Sequence, residues 1–279
     1  MKKRHKFLPK LMGLKLNSLF FINPQSALEQ AFVLFCTPRR GKPKEHQIPF
    51  LNSAKTKKIK IDGIFVKLYH WHGTGKKVLL LHGWESNTYR WKDLIERLQV
   101  ENYDITAIDA PAHGNSGGKL FNAPLYAKFV EATIQQNRIE ILIGHSVGAM
   151  TAVFQQHRTP AENVSKMILL GPPSELSRIM EDFQSIMGFH QKFMRGLENL
   201  FFEKFGFTFA GFSTASFAKS LSMKGLIIHD KFDKIVPLSA STSIAKNWKN
   251  SRLIITEGMG HSLNNAYILD EIIDFLKAV

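Results

Sequence analysis

The sequence predicts an α/β domain built on a doubly wound, mostly parallel sheet, with a helical cap insertion and an N-terminal helical extension. Three observations carry this. A strand hairpin near residue 60 is followed by alternating strand and helix signals to the last residues. Several of the strands are continuous apolar runs, the mark of strands buried on both faces. One segment, 172–220, breaks the alternation with helical sequence that holds ten of the chain's 22 phenylalanines. At 279 residues the chain is long enough to bury one large core.

Residues 1–60 hold fourteen Lys and Arg against two acids, Glu29 and Glu45, whereas residues 61–279 are nearly balanced. Most of the net charge of +14 therefore belongs to the N-terminal segment. Nothing in the charge pattern of the main domain argues for nucleic acid. The segment opens Met1-Lys2-Lys3-Arg4-His5-Lys6, but Lys10 and Lys15 break the following apolar stretch and no small-residue cleavage site follows, so it is read as retained. Pro24 separates two expected helices, about 11–22 and 25–36. Two readings stay open for them. Their apolar faces, including Leu16, Phe20, Leu28 and Phe32, pack on the body of the domain, or the segment rests weakly on an anionic membrane surface. Cys36, the one cysteine, lies in an apolar run and reads as a buried thiol in a reducing cytoplasm.

The domain is expected from residue 57. Lys57–Ile61 and Ile64–Trp71 alternate around Asp62-Gly63, a type I′ hairpin signal. Lys77–Leu81 is an apolar strand, followed by a helix near 90–100 and a strand at Asp104–Asp109. A helix near 123–137, a strand at Ile139–Gly144, a helix near 147–158 and a strand at Lys166–Gly171 come next. After the insertion, strands at 224–229 and 251–256 are each followed by a helix, the last near 264–278. An insertion leaving the C-terminal edge of such a sheet reads as a cap, since ligands of open α/β sheets bind there.

Gly144-His145-Ser146-Val147-Gly148 sits between an apolar strand and a helix. A serine on a sharp strand-to-helix turn needs small residues two positions away on each side, and the helix N-terminus favours developing negative charge. Ser146 is thus the candidate nucleophile. Serine needs a base, and the base an orienting acid. His261, in Gly258-Met259-Gly260-His261-Ser262 before the last helix, is the candidate base. Asp233, just past a strand end, is preferred as the acid over Asp230, which abuts the strand, and over Glu175. Oxyanion donors are expected from the Val147 N–H and, in His82-Gly83-Trp84-Glu85, from the Trp84 N–H, with the Trp84 indole a possible wall for substrate. His70 and His72 flank Trp71 with no neighbouring carboxylate or cysteine in sequence, so no metal site is expected. No phosphate-binding or dinucleotide fingerprint is present, and no cofactor is expected.

From about residue 60 onward the chain resembles the α/β-hydrolase superfamily of Ser-His-Asp hydrolases. The resemblance rests on Leu80-Leu81-His82-Gly83-Trp84, Asp109 through Ser116, Gly144–Gly148, Asp233 through Pro237, and Gly260-His261, in that order. Glycine is common in the family where Ala112 and Asp230 stand, and His113 and Ser116 look like its structural turn. The resemblance implies hydrolysis of esters, amides or thioesters through an acyl-enzyme, or acyl transfer, C–C bond hydrolysis or cofactor-free perhydrolysis. The leading expectation is a carboxylic-ester hydrolase with a small or medium acyl substrate as partner. Thioester or C–C bond hydrolysis, or acyl transfer, on the same triad are the alternatives. Ser146 argues against the branches that use aspartate there, and the intact triad argues against a non-catalytic binding protein.

Overall fold

The computed structural model describes residues 4–278. Lys2 and Lys3, counted above among the basic residues, lie outside them. In chain order the elements begin with α1 (Arg4–Ile22), α2 (Pro24–Cys36), α3 (Ile48–Asn52), β1 (Lys55–Ile61), β2 (Ile64–Trp71) and β3 (Lys77–Leu81). There follow α4 (Lys92–Val100), β4 (Asp104–Ile108), α5 (Ala123–Asn137), β5 (Ile141–His145), α6 (Val147–Arg158) and β6 (Lys166–Leu170). The rest are α7 (Leu176–Met187), α8 (Gln191–Phe205), α9 (Thr214–Phe217), β7 (Lys224–Asp230), α10 (Leu238–Asn247), β8 (Ser251–Thr256) and α11 (Ala266–Lys277). Two compact units result. One takes the chain up to Thr37 together with Glu175–Ser213; the other takes Pro38–Ser174 together with the chain from Thr214 on.

The sheet unit holds all eight strands, in the order β1-β2-β4-β3-β5-β6-β7-β8. β1 and β2 form an antiparallel hairpin, closed by Asp62 at φ 50° and Gly63 at φ 78°, the two left-handed positions of a type I′ turn. β2 runs antiparallel to β4, and every pairing from β4 to β8 is parallel. The apolar runs are buried on both sides because successive side chains enter different cores. Leu79 and Leu81 join Phe129 and Val130 of α5, Ala152 and Val153 of α6 and Ile244 of α10. Val78 and Leu80 join Leu94 and Leu98 of α4 and Ile268, Ile272 and Leu276 of α11. Asparagine side chains start two of these helices: Asn122 accepts from Leu125 N–H at 2.8 Å and Asn265 from Ile268 N–H at 3.0 Å. Residues 38–56, grouped on sequence with the extension, fold in this unit, where Leu51 is buried beside Tyr69 and Trp71.

The helical unit joins α1 and α2 to α7 and α8, which arrive from the insertion between β6 and β7. Leu16, Phe20, Leu28 and Phe32 are all buried. Their partners are the inserted helices: the Phe20 ring lies 5.1 Å from Phe193, and Phe32 lies 5.4 Å from Phe201. Phe189 stacks on Phe193 at 4.2 Å, and Phe35 meets Phe183 at 5.2 Å. Phe183, Phe193, Phe201 and Phe205 of the insertion thus pack with the N-terminal helices. Gly13 sets how closely α1 approaches α7, since a Cβ there would fall 1.7 Å from the Met187 carbonyl oxygen. Asn17 donates to the Gly188 carbonyl at 2.9 Å, and Lys204 of α8 pairs with Glu29 of α2 at 3.0 Å. Cys36 is buried. No helix is long and apolar enough to cross a membrane among the described residues.

Candidate active site

β5 ends at His145 and α6 begins at Val147, so Ser146 alone makes the turn between them. It does so at φ 53° and ψ −125°. Such a conformation costs a residue with a side chain about 1–3 kcal/mol, and persists only where the surroundings enforce it. Here they do. A Cβ on Gly144 would fall 2.5 Å from the Ala149 Cα, and one on Gly148 would fall 2.2 Å from the Leu81 carbonyl oxygen, so only glycines let the turn close. The Ser146 N–H donates to the Leu170 carbonyl at 2.8 Å, tying the turn to β6.

His261 comes from the loop between β8 and α11. Its Nε2 lies 3.0 Å from Ser146 Oγ and its Nδ1 lies 2.6 Å from Asp233 Oδ2. The Asp233 carboxylate is fully buried, and its Oδ1 accepts from the Ile235 N–H at 2.7 Å and the Val236 N–H at 3.0 Å. Both oxygens are engaged, which fixes the plane of the group. A carboxylate only accepts, so the proton belongs on Nδ1 and the Nε2 lone pair faces the serine hydroxyl.

The two rival acids are occupied otherwise. Asp230 is fully buried and accepts from the Phe232 N–H at 3.0 Å, the Met259 N–H at 2.7 Å and the Thr256 hydroxyl at 3.0 Å. Burial alone would push its carboxyl up, but these donors outweigh it and hold the group below its ordinary value. It braces the loops that carry Asp233 and His261. Glu175 lies in the helical unit and accepts from the Ser213 hydroxyl at 2.8 Å.

The loop after β3 comes close to the serine at Gly83, where a Cβ would stand 2.8 Å from Ser146 Cβ. The N–H groups of Trp84 and Val147 have no acceptor among the described residues. The Trp84 indole is 37% exposed and sits 5.8 Å from the His113 ring and 5.5 Å from Phe121. Two fully buried histidines hold this loop to the one after β4. His82 Nδ1–H donates to the Gly83 carbonyl at 2.7 Å while its Nε2 accepts from the Ala110 N–H at 3.0 Å. His113 Nδ1–H donates to the Pro111 carbonyl at 2.9 Å while its Nε2 accepts from the Glu85 N–H at 2.9 Å. Each needs a bare nitrogen. Burial first, then His113, pushes His82 down to about 4; burial likewise lowers His113.

Three residues at the site carry no sequence signal that singles them out. His145 occupies the unconstrained second position of G-x-S-x-G, yet its Nε2–H donates to the His261 carbonyl at 2.8 Å. His229, fully buried, donates from Nε2 to the Val236 carbonyl at 2.9 Å and meets the Ser241 hydroxyl at 2.6 Å, backing the loop that holds Asp233. Gly171, at φ 56°, leaves room for the imidazole: a Cβ would stand 3.3 Å from His261 Nδ1.

The sequence expectation for His70 and His72 is corrected here. A carboxylate does join them, because the antiparallel pairing of β2 with β4 carries Asp104 alongside: Asp104 Oδ1 lies 2.7 Å from His70 Nε2 and 3.5 Å from His72 Nδ1. The three offer ligand atoms within 4.8 Å of one another. That oxygen also accepts from the Gly73 N–H at 3.1 Å, so the cluster is satisfied as a hydrogen-bonded pair. It lies at the N-terminal end of β4, whereas Ser146 follows the C-terminal end of β5.

A family model described as the alpha/beta hydrolase fold matches residues 76–225, more than half of the chain. The chain belongs to this family. Among alpha/beta hydrolases it is similar to an uncharacterized hydrolase, YugF, of Bacillus subtilis, 27% identical over 128 residues that make up 44% of this chain and 46% of the relative. It is also similar to a pimeloyl-[acyl-carrier protein] methyl ester esterase of Methylococcus capsulatus, 28% identical over 40% of this chain and 42% of that enzyme. The alpha/beta hydrolase thus spans less than half the length of these curated relatives. Among solved structures, an esterase from Exiguobacterium antarcticum superposes with a TM-score of 0.64 at 19% identity, covering 80% of this chain and all of the other, a likeness of fold.

Proposed function

We propose that this alpha/beta hydrolase is a serine hydrolase that cleaves carboxylic esters through an acyl-enzyme, with Ser146, His261 and Asp233 as its catalytic triad. The observation that carries the reading is the unbroken hydrogen-bond chain from Ser146 Oγ through the imidazole to Asp233, at 3.0 and 2.6 Å. His261 Nε2 takes the serine proton as Oγ attacks the ester carbonyl, and Asp233 stabilises the imidazolium that forms. The tetrahedral oxyanion meets the free N–H groups of Val147 and Trp84. The imidazolium then protonates the departing alcohol, leaving an acyl-serine. Water attacks that ester with His261 again as base, and the acid leaves. The ester reading draws support from the Methylococcus relative, an esterase by name. No cofactor takes part in these steps, and a small acyl compound is the substrate. A cytoplasmic setting belongs to the proposal, supported by the single buried cysteine.

A serine-directed fluorophosphonate is expected to label the chain at Ser146, and a panel of acyl esters and thioesters of graded length to show ester turnover. Ser146→Ala should lose label and about 10³-fold or more in kcat while keeping its melting temperature. Full turnover by that variant would reject the mechanism. Faster turnover of thioesters than of matched esters would reject the ester assignment.

A further inference from the structure

α1 is apolar on both of its sides, and only one side is covered. Gly13, Leu16 and Phe20 are buried against the rest of the helical unit. Opposite them, Leu8, Leu11, Lys15, Ser18 and Ile22 follow at alternating three- and four-residue spacing, which is one stripe along a helix, and every one is exposed. Leu14 and Phe21 flank the stripe, 62% and 75% exposed; Ile22 at its end is 84% exposed. Of sixteen exposed large apolar side chains among the described residues, six belong to this one helix. Isolated exposed leucines need no explanation, but six large apolar side chains exposed on one helix, with Lys15 and Ser18 among them, do.

The charge around the face says what covers it. Lys10 and Lys15 are exposed on α1, and the sequence toward the N-terminus is basic throughout, with Lys2, Lys3, Arg4 and Lys6. The first acid in the chain is Glu29, already paired with Lys204. A second copy laid on this face would bring lysines against lysines. An anionic bilayer surface offers phosphates to the lysines and an acyl boundary to the leucines.

We propose that the outer face of α1 is a docking site for an anionic phospholipid surface. The helix lies flat, over roughly 28 Å for its length at ~1.5 Å per residue. Leu8, Leu11, Leu14, Phe21 and Ile22 enter the headgroup–acyl boundary, with Lys10 and Lys15 at the phosphates. The packing and membrane readings of the N-terminal segment cease to be alternatives, because they use opposite faces of one helix. Docking involves no step at Ser146, so its test is run without substrate.

The full chain is sedimented with phosphatidylcholine vesicles, with and without phosphatidylglycerol, at about 0.1 M and about 1 M salt, where screening lengths are ~10 Å and ~3 Å. Binding is expected only to the anionic vesicles, weakening about tenfold or more at high salt. Lys10→Glu with Lys15→Glu, and separately Phe21→Glu with Ile22→Glu, should each lower the low-salt partition about tenfold or more. All four positions are exposed, and Phe21 gives up only its ring contacts with His190 at 5.5 Å and Phe20 at 6.4 Å, so melting temperatures should stay close to the parent. Ser146→Ala should bind as the parent does, which keeps this result apart from the fate of the hydrolase reading. No binding to anionic vesicles at low salt would overturn the proposal, as would full binding by either double variant. A lipid-free dimer that Phe21→Glu with Ile22→Glu dissociates would assign the face to a second copy and overturn it equally.

Discussion

Asp230 ends β7 and Asp233 stands three residues further on, in the loop that follows, and the two carboxylates do different work. Asp233 meets the imidazole at 2.6 Å, whereas Asp230 gathers donors from Phe232, Thr256 and Met259. Asp233→Asn is expected to slow ester turnover by about 10²–10⁴-fold, because an amide can neither fix the imidazole tautomer nor stabilise the imidazolium. Asp230→Asn turns an amide NH₂ toward N–H donors and is expected to lower the melting temperature instead, leaving kcat within several-fold of the parent. Measuring kcat and melting temperature on both variants checks the division; the reverse pattern would move the acid to Asp230. Position past the strand end was enough to prefer Asp233 in the sequence. What distinguishes Asp230 is the Thr256 hydroxyl and the Met259 N–H, brought to it by a distant segment, and no residue pattern records those. The buried histidines add a pH dependence. His82 titrates near 6.5 in the unfolded chain and near 4 in the folded one. Between these values the unfolded chain binds a proton that the folded chain refuses, so stability falls as pH falls. The contribution is complete above pH 6.5 and lost by about pH 4, with His113 acting in the same direction. Urea unfolding from pH 7 to 4 should show the decline, and the slope should flatten in His82→Gln.

Elements whose own residues dictate them were legible in the sequence. The Asp62-Gly63 hairpin, the apolar β3 and the glycine-flanked serine turn all follow from local rules, and all stand where those rules put them. α1 was less legible. Its apolar residues encircle it, so periodicity could not say which side is covered, and the helix extends N-terminal of the expected start, to Arg4, with Pro9 inside it. Nor can an amphipathic pattern name a partner: Phe20 and Phe32 read as packing residues, but only the folded chain supplies Phe193 and Phe201. The closeness of that packing yields a sharp expectation. Gly13→Ala replaces a hydrogen by a methyl aimed at the Met187 carbonyl, 1.7 Å away, and backbone cannot yield cheaply. Limited proteolysis should then cut within α1, α2, α7 or α8 sooner than in the parent. Gly63→Ala, where a Cβ meets nothing within 4 Å, should leave those helices as resistant as before.

At the scale of the whole chain, the helical unit is assembled from two stretches that the sequence separates widely. Removing residues 1–37 would take Phe20, Phe32 and Phe35 away from Phe193 and Phe201, both now buried. Exposing side chains of that kind costs about 1.5–3 kcal/mol apiece. The shortened chain is expected to aggregate or to melt well below the parent, read by light scattering and calorimetry; unchanged behaviour would mean that α7 and α8 hold together without α1 and α2. The same separation has a consequence in time. α2 ends at Cys36 and its partner helices begin at Leu176, roughly 140 residues further along. At ~5–20 residues per second, a ribosome needs about 7–28 s to deliver them. Through that interval the first two helices are already made but have only each other to fold against. Their greasy sides face the cell, at the stage when a nascent chain is most exposed to chaperones and to whatever surface lies nearby.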